Sequence, residues 1–250
     1  MDAVGSPAWV ARTDGALSAV DSVRFAATAA AREIAVLVAR LRAPSARALD
    51  AGRTPPDTLL ATRMTSLAAE LPGPLLQHSI RTWLWGSMLA ELDGIQYDDE
   101  LLYVAAILHD LGLGEGHRGG VCFAVHGASQ ARTAVLDAGA DDAFARRVFE
   151  AIAAHFNTSV PLSWGAEAHL LNGGAYLDVV GRRLGEIAPA TVADVLRRAP
   201  RTGFDDCIIG AMREERRLHP RSRAALLHRL GMERSISRAG FPSTLSEGIQ

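Results

Sequence analysis

This sequence predicts an all-helical fold, and three observations predict it. Stretches rich in β-branched residues are very short, apolar residues recur at i, i+3, i+4 and i+7, and most Pro and Gly residues fall between the periodic segments. With 250 residues and 48% hydrophobic content, the chain is long enough for one buried core plus an extension.

Residues 20–41 are dominated by Ala, Arg, Val and Leu and stop before Pro44, which reads as an N-terminal helix. PSARALDAGRTPPDT, with three prolines and a glycine, is a connection. A boundary near Pro55 therefore separates an N-terminal helical extension and linker (1–55) from the main domain (56–235), followed by a loose C-terminal tail (236–250). Asp57 can cap a helix over 58–70, and 75–92 starts after two prolines and ends at a glycine. In 99–111, Leu101, Val104, Ala105 and Leu108 share one buried face. The many glycines of LGLGEGHRGGVCFAVHG predict a loop ending at His126. Helices over 129–138 and 142–156 follow, the second starting near Asp142 and closing at His155 before Pro161. AEAHLLNGGAYLDVVGRRLG is a weaker helix because of its paired glycines, and two or three more helices run to about Leu230, with a loose chain after Gly231.

The 26 basic and 28 acidic residues leave a net charge of −2, which gives no footprint for nucleic acid or an anionic membrane and makes a small molecule the expected partner. Every basic residue is Arg, a coding bias with no functional content. Cys122 and Cys207 are too few and too far apart for a disulfide framework or a four-thiolate zinc site, which fits a reducing compartment. The N-terminus lacks a basic region followed by an apolar core, and no stretch approaches the ~18 apolar residues of a membrane span. The expectation is a soluble cytoplasmic protein of open oligomeric state.

His109-Asp110 closes the apolar run ELLYVAAIL. A carboxylate there faces the negative pole of a helix and a desolvation penalty, so Asp110 calls for a cation. The candidate metal ligands are His78, His109, Asp110, His126, His155 and Asp178, each from a different helix or helix end, as in metal sites built inside helical bundles. Imidazole with carboxylate suits zinc, iron, manganese or nickel. His155 shares a face with Val148, Ala151 and Ile152, and Asp178 shares one with Leu171 and Gly174. His169 falls on the opposite side of the Asp178 helix, His117 belongs to the glycine-rich loop, and His219 and His228 read as solvated. Arg81, three residues after His78, is a candidate for holding an anionic or polar substrate group, weighed against a structural ion pair, and Asp110 is a candidate proton relay.

The segments LLQHSIR, AAILHDLGLG, FAVHGASQA, EAIAAHF and AYLDVVG resemble the HD-domain metal-dependent phosphohydrolase superfamily over residues 56–230. HSIR, HDLG and the later PRTGF are similar to the cyanamide hydratase-type branch. The resemblance implies an all-helical HD-domain bundle in which His78, His109, Asp110 and Asp178 hold one metal and His126 and His155 a second, so that one or two ions bind. It implies a hydrolase or hydratase that activates water against a phosphate ester or a nitrile-like compound. Two other readings stand beside it: a diiron oxygenase on the same fold, and a non-enzymatic helical binding protein with a structural metal. GASQA imitates a nucleophile elbow, but that motif needs a parallel sheet, which the chain lacks.

Overall fold

The structure is a computed structural model and describes residues 2–41 and 45–242. Among them, twelve α-helices form: α1 (Pro7–Thr13), α2 (Ala19–Leu41), α3 (Leu59–Ala68), α4 (Gly73–Asp93), α5 (Asp99–Leu108), α6 (Phe123–Asp137), α7 (Asp142–Ala154), α8 (Ala166–Val180), α9 (Pro189–Arg198), α10 (Phe204–Leu218), α11 (Arg223–Arg229) and α12 (Met232–Ile236). No strand forms among the described residues, so the all-α expectation holds. A single isolated bridge, Arg47 to Ile187, ties the linker to the turn before α9. None of these helices is long and apolar enough to cross a membrane.

Side-chain caps set several helix starts. Asp98 accepts from the Leu101 N–H at 3.1 Å to open α5, and Asp141 accepts from Phe144 N–H at 2.7 Å to open α7. The cap of α3 is Thr58 rather than Asp57, because the Thr58 hydroxyl reaches the Ala61 N–H at 3.0 Å.

Helix α5 is enclosed on all sides: every residue from Leu101 to Leu108 is buried. It is the centre of the bundle, which explains why apolar residues continue around it rather than along one stripe. It ends at Leu108 instead of running to 111, since Asp110 leaves helical geometry (φ −101°, ψ 12°) and a 3-10 turn follows at Leu111–Leu113.

Two glycine clusters that read as helix breakers are packing devices. The paired glycines of α8 lie inside one continuous helix, and a Cβ on Gly174 would stand 2.3 Å from the Thr82 carbonyl oxygen of α4. Only a bare backbone lets the two helices approach so closely, and α4 with α8 makes the most extensive helix pairing in the fold. In the same way a Cβ on Gly127 would meet Gly112 N at 2.7 Å. Helix α6 therefore starts at Phe123, six residues before the expected 129, and His126 lies in its first turn rather than at a loop end. Ser129 sits within α6 and donates to the Val125 carbonyl at 3.0 Å, as an ordinary helical serine does.

The N-terminal region divides. Trp9 of α1 is fully buried, with the Arg223 guanidinium 5.5 Å from its ring centroid, whereas among the described side chains of α2 only Asp21 and Phe25 are buried. At the other end, α12 occupies part of the segment expected to be loose, and residues 243–250 of that tail lie outside the described residues.

Candidate metal centre

Helices α5 and α7 end at the same place and in the same way. His109, just past α5, donates its Nδ1–H to the Ala106 carbonyl at 2.7 Å, and His155, just past α7, donates its Nδ1–H to Ile152 at 2.6 Å. Each ring thus satisfies a carbonyl that its helix end leaves open. The rest of the α7 terminus is closed by Asn172, which donates to His155 O at 2.7 Å, and by Arg223, which donates to Ala153 O at 2.7 Å. His78 comes from α4, and its Nδ1–H donates to Asp178 Oδ2 at 2.7 Å across the close α4–α8 contact. With Nδ1 fixed as the donor in all three rings, each Nε2 keeps a lone pair.

Those lone pairs converge. His78 Nε2 and His109 Nε2 are 3.2 Å apart, and Asp110 Oδ2 lies 3.5 and 3.4 Å from them. His155 Nε2 faces the other oxygen, Asp110 Oδ1, at 3.8 Å. All four residues are no more than 3% exposed. Asp110 Oδ2 is buried and has no hydrogen-bond partner among the described residues. Two acceptor nitrogens and an unpaired carboxylate oxygen in a dry interior repel one another unless a cation joins them. The ligand atoms of His78, His109 and Asp110 all lie within 4.8 Å of one another, and two imidazoles with one carboxylate suit a divalent transition metal with positions left for water.

Burial holds the His109 imidazole below its ordinary value, against the opposing pull of Asp110. Burial, reinforced by the neighbouring His109, holds His155 well below it. Burial alone would raise the Asp178 carboxyl, yet the Arg81 charge and the His78 hydrogen bond outweigh it and hold that group far down. The folded histidines bind protons less readily than the unfolded chain does. The stability they confer is therefore complete above the unfolded value of 6.5 and falls as pH drops through and below it. The Asp178 contribution is present above 3.8 and is lost only at lower pH. The urea midpoint of metal-free protein should thus be level above about pH 7, decline below about pH 6.5 and fall further below about pH 4. A midpoint that does not change between about pH 7 and 5 would contradict neutral histidines in the folded site.

The expected site residues part company in the structure. It brings His78, His109, Asp110 and His155 together, whereas Asp178 has its carboxylate fully engaged. Oδ1 accepts from Arg81 Nε at 2.8 Å and Trp85 Nε1 at 2.9 Å, and Oδ2 accepts from Arg81 Nη2 at 2.9 Å and from His78. In this arrangement Asp178 orients the first histidine rather than pointing a free oxygen at an ion. Arg81, expected at a substrate, is fully buried and also donates to Ala199 O at 3.2 Å and Pro200 O at 2.7 Å, so it is the ion pair that was weighed against the substrate role. The reason is helical geometry: positions 78, 81 and 85 lie on one face of α4, and that face meets α8. His126 is not in the cluster; its ring packs against Gly119, where an added Cβ would come within 2.3 Å of it.

The other histidines lie elsewhere. His169 bonds the Val160 carbonyl at 2.7 Å, away from the cluster as expected. His219 and His228 are not simply solvated: His219 bridges Glu215 at 2.8 Å and the Gly119 carbonyl at 3.0 Å, and His228 pairs with Glu233 at 2.6 Å. The side chain of His117 lies outside the described residues.

The sequence reading missed the aromatic wall. Phe204 stacks on the His78 ring at 4.7 Å and 26°, with the Arg81 and Arg201 guanidiniums 5.1 and 4.7 Å from its ring centroid. Arg201 also bonds the Asp178 backbone carbonyl. PRTGF was the available signal, because both residues come from it. Phe123 stands edge-on to His155 at 5.6 Å and adds to the wall.

No curated protein matches the chain. The HD domain family model does match, over residues 75–198, a span that contains His78, His109, Asp110, His155 and Asp178. Residues 75–198 are thus similar to the HD domain, a domain whose members are in general metal-dependent hydrolases.

Proposed function

We propose that the protein is a metal-dependent hydrolase or hydratase of a small molecule, with the ion held by His78 Nε2, His109 Nε2 and Asp110 Oδ2. The observation that carries this reading is the pair of facing Nε2 atoms 3.2 Å apart beside a buried carboxylate oxygen that has no hydrogen-bond partner among the described residues. A divalent ion there would lower the pKa of water toward neutrality and polarise the atom that water attacks.

The remaining side chains have roles that follow from their positions. Asp178, locked by Arg81 and Trp85, fixes the His78 tautomer and ring orientation, and Phe204 holds the face of that ring. His155, kept neutral by burial, presents Nε2 beside Asp110 and can accept a hydrogen bond from water there. Asp110 can relay a proton through Oδ1 while Oδ2 serves the ion. Arg81 is spent on Asp178 and two carbonyls, which lends support to the uncharged, nitrile-like end of the substrate range over a phosphate ester.

Elemental analysis of protein purified without added metal, followed by assays on nitriles such as cyanamide and on phosphomonoesters before and after chelation, tests the reading. Expected are about one zinc, manganese, nickel or iron per chain, and turnover that chelation abolishes while helicity persists. Iron with oxygen uptake would replace hydrolysis by oxygenase chemistry, and unfolding on chelation would make the ion structural.

A further inference from the structure

The C-terminal end of α8 meets α2 and α12 around a cavity of about 170 Å³, whose polar lining is Glu33, Arg182, Arg234, Ser235 and Arg238. Three arginines but one acid line it. Arg182 is the innermost: its side chain is 7% exposed, Nη1 donates to Thr158 O at 2.9 Å, and the guanidinium lies 4.0 Å from the Tyr176 ring centroid. Its Nε is buried without a hydrogen-bond partner among the described residues. The only acid nearby among the lining residues, Glu33, stands 3.9 Å from Nη2 on a side chain that is 67% exposed, a weak and screened pairing. Arg234 and Arg238 are exposed and make no side-chain hydrogen bond or ion pair among the described residues.

We propose that this cavity binds a small tetrahedral oxyanion, either inorganic phosphate or the phosphoryl group of a larger molecule. Burying Arg182 without a full counter-charge is costly, and its lowered pKa reflects that burial. Tyr176, pushed up to about 12 by burial, stays neutral and gives only its ring face. An anion bound there supplies the missing charge. Arginine suits the task, because its planar fork matches the oxygens of a phosphate two at a time, and Ser235 adds a hydroxyl donor. The C-terminal pole of α8 opposes an anion, so the three arginines carry the site against it. Volume limits the ligand: the cavity lies below the ~300–1,000 Å³ typical of drug-sized ligands, so one phosphoryl group enters and the rest of any larger molecule stays outside. Occupancy would tie α2 and α12 to the end of the helix that carries Asp178.

The test is calorimetric titration with inorganic phosphate and, separately, with glycerol phosphate at fixed ionic strength. The proteins compared are wild type, H109A, E33Q and the double variant R234A/R238A, each checked for native helicity. Wild type and H109A should bind alike, E33Q severalfold more tightly, and R234A/R238A at least tenfold more weakly. Equal affinity for glycerol phosphate would support a phosphoryl group on a larger molecule as the ligand, and preference for inorganic phosphate the free ion. Binding lost in H109A but kept in R234A/R238A would overturn the proposal by placing the anion at the metal centre. Failure of both probes to bind wild type, or chloride binding equally well, would overturn it too.

Discussion

His109→Ala should strip the protein of its metal and lower turnover by about a thousandfold or more, equivalent to ~4 kcal/mol of transition-state stabilisation at 1.36 kcal/mol per decade. The helical fold should survive. The imidazole makes one backbone hydrogen bond, to Ala106, and its removal relieves the approach of two lone pairs at 3.2 Å. Loss of metal is therefore separable from loss of structure. Elemental analysis, circular dichroism and turnover on the same preparation check this, with His169→Ala as the control, since that ring bonds Val160 away from the cluster. A folded His109→Ala protein that keeps its full metal content and wild-type turnover would sink the proposed site.

Arg81→Met should be the most destabilising single change among the residues around the site, by ~3–5 kcal/mol in urea denaturation, because it leaves the fully buried Asp178 carboxylate without its bidentate partner. Adding Asp178→Asn to that variant should recover part of the loss, since a neutral amide does not need the guanidinium. The sign of this coupling distinguishes an uncompensated buried charge from simple loss of packing. A cost below ~1 kcal/mol for Arg81→Met would show that the pair is not structural and would return Arg81 to the substrate.

Much of this architecture is legible in the residue order. The periodicity in 99–111 identified a buried helix, and the carboxylate at its end pointed to a cation; in the structure that end holds the unpaired Asp110 oxygen. His155 was placed inward by the face it shares with Val148, Ala151 and Ile152, and each of these residues is buried. Glycine was the weak point. A glycine that breaks a helix and one that admits a neighbouring backbone look alike in sequence, so α6 began too late and α8 seemed fragile. Gly127 and Gly174 turn out to face Gly112 and Thr82.

Arg81 and Asp178 show the same limit in side chains. Spacing on α4 put Arg81 three residues from His78 and left two roles open, and nothing local could choose between them. The choice lies in the α4–α8 contact between residues 97 positions apart, which delivers a carboxylate to Arg81 and His78 together. His126 counts among the candidate ligands as a histidine at the end of a glycine-rich loop, but the early start of α6 turns its ring onto Gly119. By itself the sequence determined the helical class and the chemistry of the His109-Asp110 pair, because periodicity and the cost of a buried charge are local properties. Tertiary structure alone decided which acid keeps an unpartnered oxygen beside the histidines and which one accepts from His78, because that depends on how closely two distant helices approach.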